Sequence, residues 1–492
     1  MKKLLSSAAA ILLVAGMAAA APDKLSEARK FLDRGMARTA TNLLTAETEK
    51  DPDNAKAFAL LAEARIAGGD AFGAESAAAR AVDLKEDSAE FWSIWGRACF
   101  EQGIAAVAAQ DPGSAIKSLF ADSEMKYFHV LKLAPEDPEA RWWAGWAKEW
   151  QEYPNEARKL YEEQIAKFPK LIAGYRRLGH MMSMEANGLD GGATPEAQAK
   201  RTEALRIFED GLAKAGDDAE TLYAYGIALE WARRKDDALK AYWRAIDADP
   251  DYFKAWDRLR PLKVPNEQIL AAAEKCLKKD KLAANPAMWA GYLMMAGGDP
   301  AQTATQALSV MLPALEEHGE HGGLWTQAMS AAMKLLAARA EDGLAALRKI
   351  HEIYPLSGDA ANNIGLYYRD TGKYKDSLEW YLKAVERAPE SQGVLNDTAL
   401  IYLFHFPDQA KLGLPLLERT IALVEDGDQL PEMGYWDALE NLTKYYWEID
   451  RQPEQVIRYA GMRYETTKGV EPYNQSPKAA HYAELAKKAL GK

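Results

Sequence analysis

Along most of the chain, apolar residues recur three and four positions apart in runs of about a dozen residues, the spacing of an amphipathic helix with one buried face. Short polar turns separate these runs. At wider intervals come Asp-Pro or Ala-Pro steps, at Asp51–Pro52, Ala134–Pro135, Asp249–Pro250 and Ala388–Pro389. Each follows one helical run and precedes another, as expected of a residue that ends a helix by lacking an amide donor. The pattern predicts helices in pairs, with a tight turn inside each pair and a proline step between many of them.

The clearest unit runs from Ala219 to Tyr252. It carries Tyr225–Gly226 in its first helix, Ala238, Tyr242 and Ala245 in its second, and Pro250 at its end. A second, Gly358 to Ser391, carries Ile364–Gly365, Tyr368, Gly372, Tyr381, Ala384 and Pro389. A third opens at Ala89 with Trp92, Trp95–Gly96 and Gly103. These units resemble the tetratricopeptide repeat (TPR), whose 34-residue unit has a W-x-x-L-G-x-x-Y first helix and an A-x-x-x-F second helix before proline. The small residues let paired helices approach closely, and the large ones fill the space beside them.

In this frame, units begin near positions 21, 55, 89, 138, 172, 219, 253, 286, 324, 358, 392 and 436. The expected fold is all-α, a right-handed superhelical solenoid of about twelve TPR-like helix-turn-helix units with a C-terminal capping helix. Three units carry insertions: around Ile104–Ser118, around Asn187–Ala199 as a Gly-rich loop, and within 392–435. Pro261 and Pro265 shorten the first helix of unit 253–285, a degenerate unit and candidate bend. The expected organisation is a signal peptide at 1–20, an N-terminal array at 21–252, the degenerate unit at 253–285, a C-terminal array at 286–469 and a capping segment at 470–492.

The signal-peptide reading rests on the first residues. Met1–Lys2–Lys3 is a short basic start, Leu4–Ala20 is apolar, and small residues lead to Ala20–Ala21 with Pro22 beyond. Those are the three parts of a secretory signal, with cleavage after Ala20. The alternative is an uncleaved N-terminal anchor, for which the run is a little short of the roughly 20 residues a bilayer span needs. The expected address is periplasmic or secreted, with no membrane span in the mature chain.

Composition narrows the class of function. The 492 residues are 48% hydrophobic and 27% charged, a foldable globular composition. Sixty-one Lys and Arg stand against 73 Asp and Glu, a formal charge of −12, which argues against a nucleic-acid partner. The two cysteines, Cys99 and Cys276, lie four units apart in the repeat frame and in no Cys-x-x-Cys motif, so two separate buried thiols are expected.

No catalytic motif is present: no G-x-S-x-G elbow, no H-E-x-x-H, no nucleotide-binding glycine loop. Gly372–Lys373 reads as a turn between paired helices. His318 and His321, in His-Gly-Glu-His-Gly-Gly, have a metal-like spacing, but two His and one Glu make an incomplete zinc site in what reads as a solvated loop. The expectation is a non-catalytic scaffold with no cofactor and no metal.

Two constellations could carry recognition. Trp142, Trp146 and Trp150 stand at i, i+4 and i+8 and share one helix face. The TPR resemblance implies that Trp142, Trp146, Glu149 and Trp150 line the concave groove, where exposed tryptophans mark a partner site. If the helix slips by two residues, Trp143, Trp146 and Trp150 fit the repeat's packing positions and belong to the core instead. The second constellation is Asn363, Asp397 and Asn441, at one shared position in the first helices of the last three units, with Asn362 and Asn396 just before two of them. It is similar in part to the asparagine ladder with which the TPR superhelix of O-GlcNAc transferase holds an extended peptide. The plainer reading is of polar residues satisfied by water.

The resemblance thus implies an exported scaffold that binds a protein or extended peptide in its concave groove, within an envelope assembly. The rival is a glycan-binding scaffold of polysaccharide export or wall assembly, stacking sugars on the tryptophans.

Overall fold

The computed structural model describes residues 23–188, 194–354, 357–468 and 477–490. The expected signal peptide, positions 189–193 of the second insertion and the start of the capping segment lie outside the described residues. Among the described residues the chain forms 25 α-helices and one short 3₁₀ turn, Pro407–Leu412, with no strand. The first 24 helices fall into twelve consecutive pairs. Their first helices begin at Lys24, Ala55, Ala89, Ala140, Ile172, Ala219, Phe253, Ala284, Gly322, Asp359, Gln392 and Met433, within three residues of the spacing frame. The last helix, Pro477–Ala489, packs on Met433–Glu448 and Pro453–Thr467.

Short polar side chains start many of these helices by accepting an otherwise orphaned amide. Asn54 Oδ1 accepts from Ala57 N at 3.1 Å, Asp70 Oδ1 from Gly73 N at 2.8 Å and Asp218 Oδ2 from Thr221 N at 2.8 Å. His321 does the same job, its Nδ1 accepting the Leu324 amide at 3.0 Å at the start of Gly322–Ala338. The turn inside a pair often uses a left-handed residue, such as Gly69 (φ 80°) or Gly372 (φ 76°). Gly372 is therefore the inter-helix turn that the sequence suggested.

Pairs are held by a small residue on the first helix facing a large one on the second. A side-chain carbon at Gly96 would meet the Tyr127 ring at 2.9 Å, one at Gly179 the Phe208 ring at 2.8 Å, and one at Gly365 the Tyr381 ring at 2.7 Å. Gly226 stands in the same relation to Tyr242. All four rings are fully buried. Only glycine allows that approach, so helix spacing and ring burial are one decision.

The insertions are spent mainly on longer helices. Ala89–Ala108 and Gly113–Leu133 have 20 and 21 residues, against 13 and 14 for Ala219–Trp231 and Lys235–Ala248. In the second insertion, the stretch expected as a Gly-rich loop is helical through Gly188 and again from Pro195. Thr194 caps that restart, accepting the Ala197 amide, and Pro195 occupies the first turn, where a missing amide costs nothing. In the third, the 3₁₀ turn fills the space between Gln392–His405 and Leu414–Glu425. The degenerate unit opens with a helix of seven residues, Phe253–Leu259, as its prolines require.

The chain divides into two compact units, one ending at Leu160 and the other beginning at Tyr161. In the first, Ala28, Leu44, Leu61, Val82 and Phe91 build one cluster, and Phe100, Phe120 and Ala147 another. In the second, a continuous cluster runs from Leu205 through Tyr242, Trp256 and Ile269 to Leu293, and a further one from Ala284 to Ile364. Each cluster draws on successive helix pairs, because a single pair cannot bury its own apolar face. Both cysteines are free and buried, and burial pushes the Cys99 thiol up to about 12. Among the described residues no helix is long and apolar enough to cross a membrane.

Candidate partner-binding site

The tryptophan helix, Ala140–Trp150, packs on Gly113–Leu133 and its rings reach the aromatic core of Ala89–Ala108. Trp142 is buried, 7% exposed, and stacks on Trp143 at 4.3 Å. Trp143 and Trp146 stack at 5.4 Å, and Trp146 meets Phe100 at 4.5 Å. Trp150 lies flat on Phe120, 5.2 Å away with the planes 6° apart. Trp146, Glu149 and Trp150 are half-buried. The helix thus sets its tryptophans from both sequence frames into one aromatic group, with ring faces engaged by neighbouring rings. Ala144 and Ala147 are fully buried beneath it.

The polar constellation lies on three successive first helices, Asp359–Asp370, Gln392–His405 and Met433–Glu448. Asn362 Nδ2 donates to Asp397 Oδ2 at 3.0 Å. Asn396 Nδ2 approaches Asp397 Oδ1 at 3.4 Å, and Asn441 Nδ2 donates to Asn396 Oδ1 at 2.9 Å. A continuous ladder therefore runs Asn362–Asp397–Asn396–Asn441 across three units. Asn363 is not a rung; its amide turns back to the Asp359 carbonyl at 2.9 Å. Each cross-unit bond joins a residue just before the shared position on one helix, Asn362 or Asn396, to the shared-position residue of the next, Asp397 or Asn441, because one helical residue of rotation (about 100°) turns a short amide toward the neighbouring helix.

The ladder sits in a low-dielectric setting. Burial pushes the Asp397 carboxyl above its usual range, opposed by the Asn362 hydrogen bond, the Arg369 charge and the Asn396 contact. Asp437 is raised as well, by burial first and then by the charges of Glu440 and Asp397. Asn362 Oδ1 is buried with no hydrogen-bond partner.

At its far end the ladder opens on a cavity of about 600 Å³, lined by Leu403, Phe404, His405, Asn441, Lys444 and Tyr482 among others. Lys444 Nζ stands 4.1 Å over the Phe404 ring, and His405 stacks on Tyr374 at 3.8 Å. The Tyr482 hydroxyl, from the last helix, donates to Glu448 Oε1 at 2.5 Å and closes one side. Asn441 lines the cavity with its orientation fixed by Asn396, keeping Oδ1 and one amide hydrogen available. Lys444 and Glu440 were not singled out by sequence, although i, i+3 spacing from Asn441 to Lys444 was a usable signal. Tyr482 carried no such signal, since it arrives from a helix outside the repeats. Among the described residues no group of three or more His, Cys, Asp and Glu could hold a metal ion.

Twelve consecutive helix pairs among the described residues, several with glycine on the first helix facing a buried ring on the second, make this chain a tetratricopeptide-type solenoid among all-α proteins. It is similar to pilF of Pseudomonas aeruginosa (14% identity, 48% of this chain and 96% of that one, TM-score 0.33). It is also similar to a thermophilic TPR protein of Thermus thermophilus (15%, 48% and 99%, TM-score 0.26) and to yeast Tom70 (15%, 95% and 96%, TM-score 0.33). No family model and no curated protein matches the sequence.

Proposed function

We propose that this protein is a non-catalytic interaction scaffold that holds an extended peptide segment of a partner protein along the first helices of its C-terminal units. The observation that carries this reading is Asn441. The ladder presents it to the cavity in one orientation, with an acceptor oxygen and a donor hydrogen free. That pair matches the N–H and C=O of one peptide unit, which every peptide offers regardless of sequence. The apolar wall of Leu403 and Phe404, with Lys444, would add selectivity for the side chains on either side.

A photo-crosslinking residue at Leu400, on the cavity wall, tests this against one at Arg419, on a second helix. Peptide crosslinks are expected from position 400, lost on Asn441→Ala. Equal crosslinking from both positions, or no effect of Asn441→Ala, would reject it. Export and an envelope location are part of the same proposal, supported by the basic, apolar and small-residue order of positions 1–21. Edman sequencing of protein from its native host should then begin at Ala21, and a start at Met1 would refute export by cleavage.

A further inference from the structure

The first compact unit has a cavity of its own, about 580 Å³, on the inner faces of Lys24–Asp33, Ala55–Ala67 and Ala89–Ala108 and bounded by the entry to Ala140–Trp150. Its charged lining is one-sided. Asp33, Glu63, Glu90, Asp137 and Glu139 face Arg29 and Arg97. Glu63 is neutralised by Arg29 at 2.6 Å, and Asp137 is occupied in capping the next helix through the Glu139 and Ala140 amides. Asp33, Glu90 and Glu139 make no ion pair among the described residues. Arg97 is the one lining cation left to oppose them among those residues, and its guanidinium lies 6.0 Å from the Trp143 ring.

The apolar lining is Leu32, Ile66, Ile94 and Trp143. Tyr127 also lines the cavity. Its ring stacks on Trp143 at 5.6 Å, and its hydroxyl is buried with no hydrogen-bond partner. A buried hydroxyl without a partner costs stability, so its presence at a cavity wall is an observation separate from the acidic lining.

We infer that this cavity binds a basic peptide segment, whose Lys or Arg side chains lay their aliphatic stems on Ile66, Ile94 and Trp143 and carry their charges to Asp33, Glu90 and Glu139. The chemistry is complementary at each point. Long cationic side chains bury an apolar stem while their heads stay paired, and a guanidinium or ammonium brings donors for carboxylates and for the Tyr127 oxygen. The site lies in different units from the ladder and uses different groups, so it stands or falls separately.

The test is fluorescence anisotropy on the full-length protein, with labelled peptides of alternating lysine and glycine or alternating glutamate and glycine, at about 150 mM salt to suppress long-range attraction. The lysine peptide should bind and the glutamate peptide should not. The triple variant Asp33→Asn, Glu90→Gln, Glu139→Gln should weaken lysine-peptide binding by about tenfold. A control triple at exposed acids elsewhere, Glu267→Gln, Glu274→Gln, Glu465→Gln, removes the same charge and should change it less than about twofold. Tyr127→Phe should weaken binding while leaving the melting temperature of the free protein unchanged or higher. Asn441→Ala should have no effect here. Equal losses from the two triples would reduce the binding to net charge and overturn the inference, as would no binding of the lysine peptide. A Tyr127→Phe variant that binds as tightly as the wild type would also count against it.

Discussion

The Tyr381 ring lies against Gly365 so closely that a methyl group on that glycine would sit 2.7 Å from Cδ1. Tyr381 is fully buried, on the second helix of the pair whose first helix carries Gly365. A ring enclosed on all sides cannot swing into solvent, so accommodating a methyl means moving one helix.

Gly365→Ala is therefore expected to destabilise the protein. Overpacking costs about 1–3 kcal/mol, and the better helix propensity of alanine returns up to about 1 kcal/mol of that. Gly461 supplies the control, since it lies on an exposed helix face with nothing within 4 Å of an added carbon. Gly461→Ala should stabilise by about 0.5–1 kcal/mol. Urea midpoints for the two variants should move in opposite directions.

Truncation of Asp397 should be costly even though burial raises its pKa. Asp397→Ala strips Asn362 Nδ2 of its acceptor while Asn362 Oδ1 already lacks a partner, and it also removes the Asn396 contact. Leaving such groups unsatisfied costs about 1–3 kcal/mol. Asn441→Ala removes only the terminal rung and should cost about 1 kcal/mol. Chemical denaturation of both should rank them in that order.

The tryptophans separate by burial. Trp142, at 7% exposed, should lose about 3–5 kcal/mol on replacement by alanine. Trp150 is half-buried, with one face on Phe120, and its truncation should cost clearly less. Melting curves of the two variants decide this. If partner capture is also lost in Trp150→Ala, the exposed part of that ring takes part in recognition.

Acid should weaken the second compact unit through His180. Burial, with help from the Arg177 charge, pulls its pKa down to about 4, whereas an unfolded histidine titrates near 6.5. Between those values the unfolded chain binds the extra proton, so stability is complete above about pH 6.5 and falls as pH drops toward about 4. The loss by about pH 4.5 is about 2–3 kcal/mol from this residue. His321, His351 and His405 shift the same way, while the raised Asp397 and Asp437 act in the opposite sense. His180→Leu should flatten the pH dependence of the melting temperature between about pH 7 and 4.5 by the His180 share alone.

Helix pairs, their number and their starting points were all legible in the chain. An amphipathic period, a turn residue and a proline step are local signals, and each acts within a few residues of where it is read. The Gly226–Tyr242 and Gly365–Tyr381 pairings were legible for the same reason, because the two partners lie on consecutive helices of one unit. What the insertions would do was not, since a helix extends wherever caps and neighbours permit. Thr194 and Pro195 restart a helix inside a stretch that composition alone marks as a loop.

The ladder shows where local reading stops. Sequence placed Asn363, Asp397 and Asn441 at one repeat position, but hydrogen bonding is decided by rotation about the helix axis and by the neighbour that rotation meets. Asn362 and Asn396 point across to the next unit, and Asn363 folds back on its own helix. In the same way, spacing put Trp142, Trp146 and Trp150 on one face, while Phe100 and Phe120 from another pair cover part of the Trp146 and Trp150 rings. The sequence by itself determined which segments are helices and how they pair, because those choices cost or gain energy within about 34 residues. The tertiary structure decided which polar and aromatic side chains meet between units, because that depends on the angle at which one pair stacks on the next, a quantity no single unit encodes.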